Sequence, residues 1–194
     1  MRRGDCRSVG QAETGGTAVV SARAPDRLSA HMLAIPFGQL PDTARLWIFA
    51  AERELSAAEQ STLLARVDRF LNQWTAHGTP LVSGRELRET RFLFVAVDEA
   101  RAGVSGCSID ALVRDLKALE PEIGVPLVDS APVWYRDHGS IRGAGRERFA
   151  ELAAAGAVTC RTPVFDTTLA TVGDLRAGRW EVPAGDAWHG RTFF

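Results

Sequence analysis

The sequence predicts an α+β fold, with two helices laid on one antiparallel sheet and a small α/β segment after it. Three observations carry this expectation. Between Arg45 and Asp137 the apolar pattern runs strand, helix, strand, strand, helix, strand. The first and third strands are continuous apolar runs, as expected of central strands buried on both faces. The second and fourth are more polar or carry proline, which suits sheet edges. Those positions are the ones of the ferredoxin-like βαββαβ arrangement, whose first and third strands lie in the middle of the sheet.

The elements follow in order. Arg45-Leu46-Trp47-Ile48-Phe49-Ala50 is the first apolar run. Ser56-Ala57-Ala58-Glu59 is a capping box, in which hydroxyl and carboxylate satisfy the free amides of a helix start. Leu63, Leu64, Val67, Phe70, Leu71 and Trp74 continue it at helical spacing, and His77-Gly78 is expected to end it. Leu81 to Glu89 is the polar second strand, and Thr90 to Asp98 the most apolar one. Ile109, Leu112, Val113, Leu116 and Leu119 give the second helix its apolar side, closed by Pro121 and Gly124. Ala131 to Asp137 is the fourth strand, placed at an edge by Pro132.

Three parts are expected along the chain. Residues 1–31 lack any helical or strand period and read as a disordered extension, with Met32 as the expected natural start. Residues 32–138 form the ferredoxin-like body. Residues 139–194 form a small C-terminal segment, near the lower size limit for folding alone and therefore expected to dock on the body. In it "GSIRGAG" reads as a flexible connection, Phe149 to Ala153 as a short helix, and "TPVFD" and "GRWEVP" as strands. The aromatic tail "AWHGRTFF" is expected to pack back.

Composition narrows the function. A net charge of −1 gives no electrostatic reason to expect nucleic acid or an anionic membrane. No run of about 18 apolar residues predicts a membrane span. Of the 23 basic residues only Lys117 is lysine, a bias that GC-rich coding explains as simply as anion binding. Cys6, Cys107 and Cys160 form neither a disulfide framework nor a zinc motif, which suits reduced thiols in the cytoplasm. No GxxxxGK[ST] occurs, which excludes a self-contained P-loop ATPase; no metal-ligand set or cofactor motif is present either, so no cofactor is expected.

One rim of the expected sheet collects chemistry. Cys107, in "AGVSGCSIDALVRDL", lies at a helix start, where free amides and the dipole favour a thiolate. Ser108, or Ser105 if the helix begins early, is the expected N-cap. His77 would be the base and Asp98 its orienting partner, with Asp137 and His138 on the same rim. Alternatively Gly106, Cys107 and Ser108 would hold an anion on their amides. A purely structural reading explains the same residues as a tight turn, a helix end and a turn cap. A second candidate surface is aromatic: Trp134 and Tyr135 on the edge strand with Trp180, and Trp188 near the tail.

Two resemblances add to this. "FGQLPDTARLWIFAAERELS", "WTAHG", "SGCSID" and "WEVPAGDAWHGRTFF" resemble an uncharacterised family of small bacterial proteins, some carrying the label ABC transporter ATPase. Val133 to Pro183, "VWYRDHGSIRGAGRERFAELAAAGAVTCRTPVF…GRWEVP", is similar to bacterial GYF-like domains. That resemblance implies an aromatic surface for proline-rich peptides, with Trp134, Tyr135 and Trp180 at the matching positions. The Gly-Pro-Phe/Tyr core of the family is replaced here by "GSIRGAG". The expected function is therefore a non-enzymatic binding protein with a protein or peptide partner. The alternative is a cysteine-dependent enzyme or thiol sensor at Cys107.

Overall fold

The computed structural model describes residues 34–100, 103–104, 106–128 and 132–194. The expected extension over residues 1–31, with Cys6, lies outside them, as does Ser105. The first half contains β1 (Arg45–Ala50), α1 (Ala57–Leu71), β2 (Thr75–Ala76), β3 (Thr79–Pro80), β4 (Val82–Arg88), β5 (Phe92–Asp98) and α2 (Gly106–Ile123). The second contains β6 (Val133–Asp137), β7 (Ser140–Ala144), α3 (Arg146–Ala154), β8 (Pro163–Phe165), α4 (Val172–Arg176), β9 (Glu181–Pro183) and α5 (Trp188–Phe193).

The fold is α+β with antiparallel sheets. One sheet has the order β1-β5-β4, and a second has the order β7-β6-β8-β9. In the first, Leu46 faces Ala96 and Trp47 faces Val95 across the β1–β5 ladder. Phe92 to Val97 are all 0% exposed, which requires cover on both faces of β5. On one face Leu93, Val95 and Val97 meet Leu63, Val67 and Leu71 of α1 and Leu112, Leu116 and Leu119 of α2. On the other, Phe92, Phe94 and Ala96 meet Trp134, Phe165 and Trp180 of the second sheet. The outer face of that sheet, with Val133, Tyr135 and Val164, packs on Phe149 of α3 and Phe193 of α5. The layers are helices, sheet, sheet, helices.

The ferredoxin-like expectation holds for five elements and stops at the sixth. β1, β5 and β4 stand in the expected order, with α1 and α2 on one face. The fourth strand, β6, does not join β1. It pairs with β7 from Val133 to Asp137 and with β8 at Trp134 and Tyr135. The outer edge of β1 is met instead by the segment before α4: the Leu46 amide donates to Ala170 O at 2.8 Å, and Arg45 bridges Thr171. Burial explains the difference. Trp134 has to lie between layers, and the open Phe92/Phe94 face provides that place. Pro132 precedes β6 and removes no ladder bond, so it does not confine the strand to an edge.

Two turns also differ from expectation. Asn72, not Gly78, caps α1, and His77 (φ 51°) and Gly78 (φ 78°) form the two-residue turn between β2 and β3. Two successive left-handed residues are what such hairpins require. "GSIRGAG" is the strand β7 rather than a flexible connection. Gly143 is needed there because a Cβ would lie 2.9 Å from Cζ3 of Trp134. The capping box at Ser56 is formed: the Ser56 amide donates to Glu59 Oε2 at 2.7 Å, and the Glu59 amide donates to Ser56 Oγ at 3.4 Å. The aromatic tail packs back as α5, burying His189 against Phe149.

Candidate functional site

The Cys107 rim is only partly assembled. Trp74 Nε1 donates to Ser108 O at 3.0 Å, and Ser108 Oγ donates to Thr75 O at 3.3 Å, so the start of α2 lies against β2. Val82 pairs with Asp98, which puts Asp98 at the neighbouring strand end. The thiol of Cys107 is exposed, and so is His77. No hydrogen bond or ion pair among the described residues joins Cys107, His77 and Asp98. Asp98 Oδ1 instead accepts the Ala100 amide at 3.0 Å, a turn-capping bond.

The other calls on this rim are also placed differently. α2 begins at Gly106, so Ser108 sits inside its first turn, buried, rather than at the N-cap. A carboxylate already serves the loop ahead of Gly106 and Cys107: Glu99 Oε1 accepts the Val104 amide at 3.1 Å. Asp137 and His138 lie elsewhere. Arg136, beside them, pairs at 3.5 Å with Glu89 in the β4–β5 turn, at the opposite end of β5 from Asp98. The change of sheet by β6 carries them there.

The aromatic surface is a core. Trp134 is 2% exposed and Tyr135 and Trp180 are each 8% exposed, because β6 and the residue just before β9 lie between layers rather than at an edge. Trp134 meets Phe92 edge-on at 5.7 Å, and Trp180 meets Phe92 and Phe94 at 5.3 and 5.1 Å. These three residues are not available to a partner. Phe194, 52% exposed, is the large apolar side chain left open among the described residues.

A different site emerges at Trp188, the remaining aromatic residue of that prediction. A cleft of about 500 Å³ is lined by Asp166, Thr168, Asp174, Arg179, Asp186 and Trp188, with Leu169 and Val182 as its apolar part. Asp166 follows β8, and its Oδ1 accepts the Thr168 amide at 2.8 Å, which fixes one carboxylate oxygen and leaves the other. Asp174 belongs to the N-terminal turn of α4, where its amide bonds Thr171 Oγ1 at 3.1 Å. Its Oδ1 takes Arg179 Nη1 at 2.7 Å. Asp186 is exposed. Three carboxylates therefore face one guanidinium, and that guanidinium is already paired.

Trp188 forms the aromatic wall. The Arg146 guanidinium lies 5.1 Å from its ring, and the His189 imidazole stacks at 3.9 Å. The indole Nε1 is buried without an acceptor. His189 is 1% exposed, and burial pushes its imidazole below the usual range, opposed by Asp166 and assisted by Arg146. A neutral imidazole therefore backs an acidic cleft. Nothing in the arrangement pairs a nucleophile with a base; the indole already carries a guanidinium and an imidazole against its ring, and the groups left to a ligand are carboxylate oxygens.

Sequence reading used "TPVFD" only as a strand and did not join Asp166 to Asp174 and Asp186. Their convergence depends on the turns around β8, α4 and β9, which carry no local signal. Among the described residues no group of three or more His, Cys, Asp or Glu side chains is arranged to hold a metal ion. No helix among them is long and apolar enough to cross a membrane. No family model, curated protein or solved structure matches the chain.

Proposed function

We propose that this chain is a non-enzymatic binding protein whose C-terminal half takes a cationic group of a protein or peptide partner. The observation that supports it is the cleft beside Trp188, whose lining brings together Asp166, Asp174 and Asp186 with a single guanidinium, that of Arg179. A lysine or arginine side chain entering it meets the free oxygen of Asp166 and the open carboxylate of Asp186. With Asp186 exposed, such pairs are screened by salt. The GYF-like similarity of Val133 to Pro183 does not carry this reading, because Trp134, Tyr135 and Trp180 are buried. A cytoplasmic setting belongs to this reading, because the exposed Cys107 and Cys160 are unpaired thiols.

Mapping by ¹⁵N–¹H spectra tests it. An arginine-rich peptide should shift the Trp188 indole signal and the amides of Asp166, Thr168 and Asp186, while a glutamate-rich peptide of equal length should not. Shifts confined to the Cys107 turn, or identical responses to both peptides, would reject the assignment.

A further inference from the structure

Three arginines close one border of the aromatic core between the sheets. Arg88 lies 5.0 Å from the Phe94 ring, Arg136 5.1 Å from Phe165, and Arg91 4.9 Å from Trp134. Two of them have carboxylates. Arg88 pairs with Glu86 at 3.0 Å, and Arg136 with Glu181 at 2.6 Å.

Arg91 differs. It is 7% exposed, and no ion pair reaches it among the described residues. Its one side-chain hydrogen bond among the described residues runs from Nη1 to Ile141 O at 3.3 Å, and its Nε is buried with no acceptor. No hydrogen bond from Nη2 joins it to an acceptor among the described residues either. The Nε–Nη2 edge, the side of the fork that grips two oxygens at once, has no acceptor among the described residues. A guanidinium stays charged when buried, and a buried charge without a counter-charge is costly.

The backbone holds this side chain in place. Arg91 ends the turn Arg88–Arg91, in which Glu89 and Thr90 both have φ of 51°. A β-branched residue in the left-handed region is strained. Thr90 O accepts the Leu55 amide at 2.9 Å, and Arg91 O accepts the Ala51 amide at 3.0 Å, so both sides are fastened to the β1–α1 connection. The carboxylate whose field reaches Arg91 is Glu54, exposed on that same connection and not paired with it.

We propose that Arg91 is the receptor for an oxyanion, the carboxylate or phosphate group of a small ligand, bound where the β4–β5 turn meets β7. None of its residues lines the acidic cleft, so the proposal does not depend on that site. Glu54, whose field reaches Arg91 without pairing with it, offsets part of the positive charge that such a ligand meets.

The test titrates the full chain with inorganic phosphate and, separately, with acetate, against chloride at equal ionic strength. The readouts are the ¹⁵N–¹H signal of Arg91 Nε and the thermal midpoint. A saturable downfield shift with a rise in midpoint is expected, tighter in Glu54→Gln and lost in Arg91→Met. Saturation by phosphate alone assigns a phosphate ligand, and saturation by acetate alone a carboxylate one. If Arg91→Met does not fold, the Nε signal and Glu54→Gln still decide. The proposal is overturned if neither anion saturates. It also fails if Arg91→Met keeps the response and Glu54→Gln leaves it unchanged.

Discussion

Replacing Phe92 with alanine tests the two-sheet core at its centre. The ring is 0% exposed and touches three aromatic neighbours from the second sheet: Phe165 stacked at 5.2 Å, Trp180 edge-on at 5.3 Å and Trp134 edge-on at 5.7 Å. Removing it deletes a large buried apolar group and leaves a cavity whose walls are rigid rings poorly able to collapse. Phe→Ala at such a site costs about 3–5 kcal/mol. For a chain of this length that is a fall in thermal midpoint of about 6–20 °C. Urea unfolding followed by tryptophan fluorescence and by far-UV circular dichroism gives both the energy and the cooperativity. A single transition shifted by that amount is expected, with both probes coincident, because the ring joins the two sheets. A loss below about 1 kcal/mol would refute the packing account. So would separation into two transitions with the helix-covered sheet unaffected.

Other expectations concern single groups. Glu59 is held down to about 2, mainly by the Arg53 guanidinium and further by the Ser56 amide and hydroxyl. Its folded value lies below the unfolded one, so its contribution is present above pH 4.5 and is lost as pH falls from there towards 2. Ser56→Ala should cost about 1 kcal/mol in urea unfolding and reduce that acid dependence; an unchanged pH profile would contradict the capping box. His189 behaves as a buried base with its value lowered. Stability is therefore full above pH 6.5 and declines as pH drops below it, while His189→Phe should flatten this part of the profile. An equal decline in both proteins would remove His189 from the explanation. Cys107 and Cys160 are both exposed, so a disulfide reagent should modify both in the native state. His77→Ala should leave the Cys107 rate unchanged, and a large drop would restore His77 as its base.

How much was legible depended on the range of each signal. The capping box at Ser56, the apolar period of α1 and α2 and the fully apolar β5 are local patterns, and they placed the first sheet and its helices correctly. The destination of β6 is not local. Trp134 reads equally well as an exposed aromatic on an edge and as a core residue between two sheets, and only the open Phe92/Phe94 face decides. The same ambiguity misplaced Tyr135 and Trp180. Asp137 and His138 moved to the far end with β6. His77-Gly78 carried a left-handed signal that fits a helix end and a two-residue hairpin alike. Gly143 inside "GSIRGAG" suggested flexibility, whereas its role is to let the Trp134 ring approach. The acidic cleft rests on turns joining β8, α4 and β9, so Asp166, Asp174 and Asp186 looked unrelated along the chain.

The most direct measurement of the binding account is calorimetric titration of the full chain with an arginine-rich peptide, at low and at physiological salt. The variant for comparison carries Asp166→Asn and Asp186→Asn, which keep the shape and the Thr168 bond while removing two charges. The account predicts one saturable site whose affinity falls with salt and whose signal is lost in the double variant. Absence of binding to the unaltered protein, or equal binding by both proteins, would contradict it.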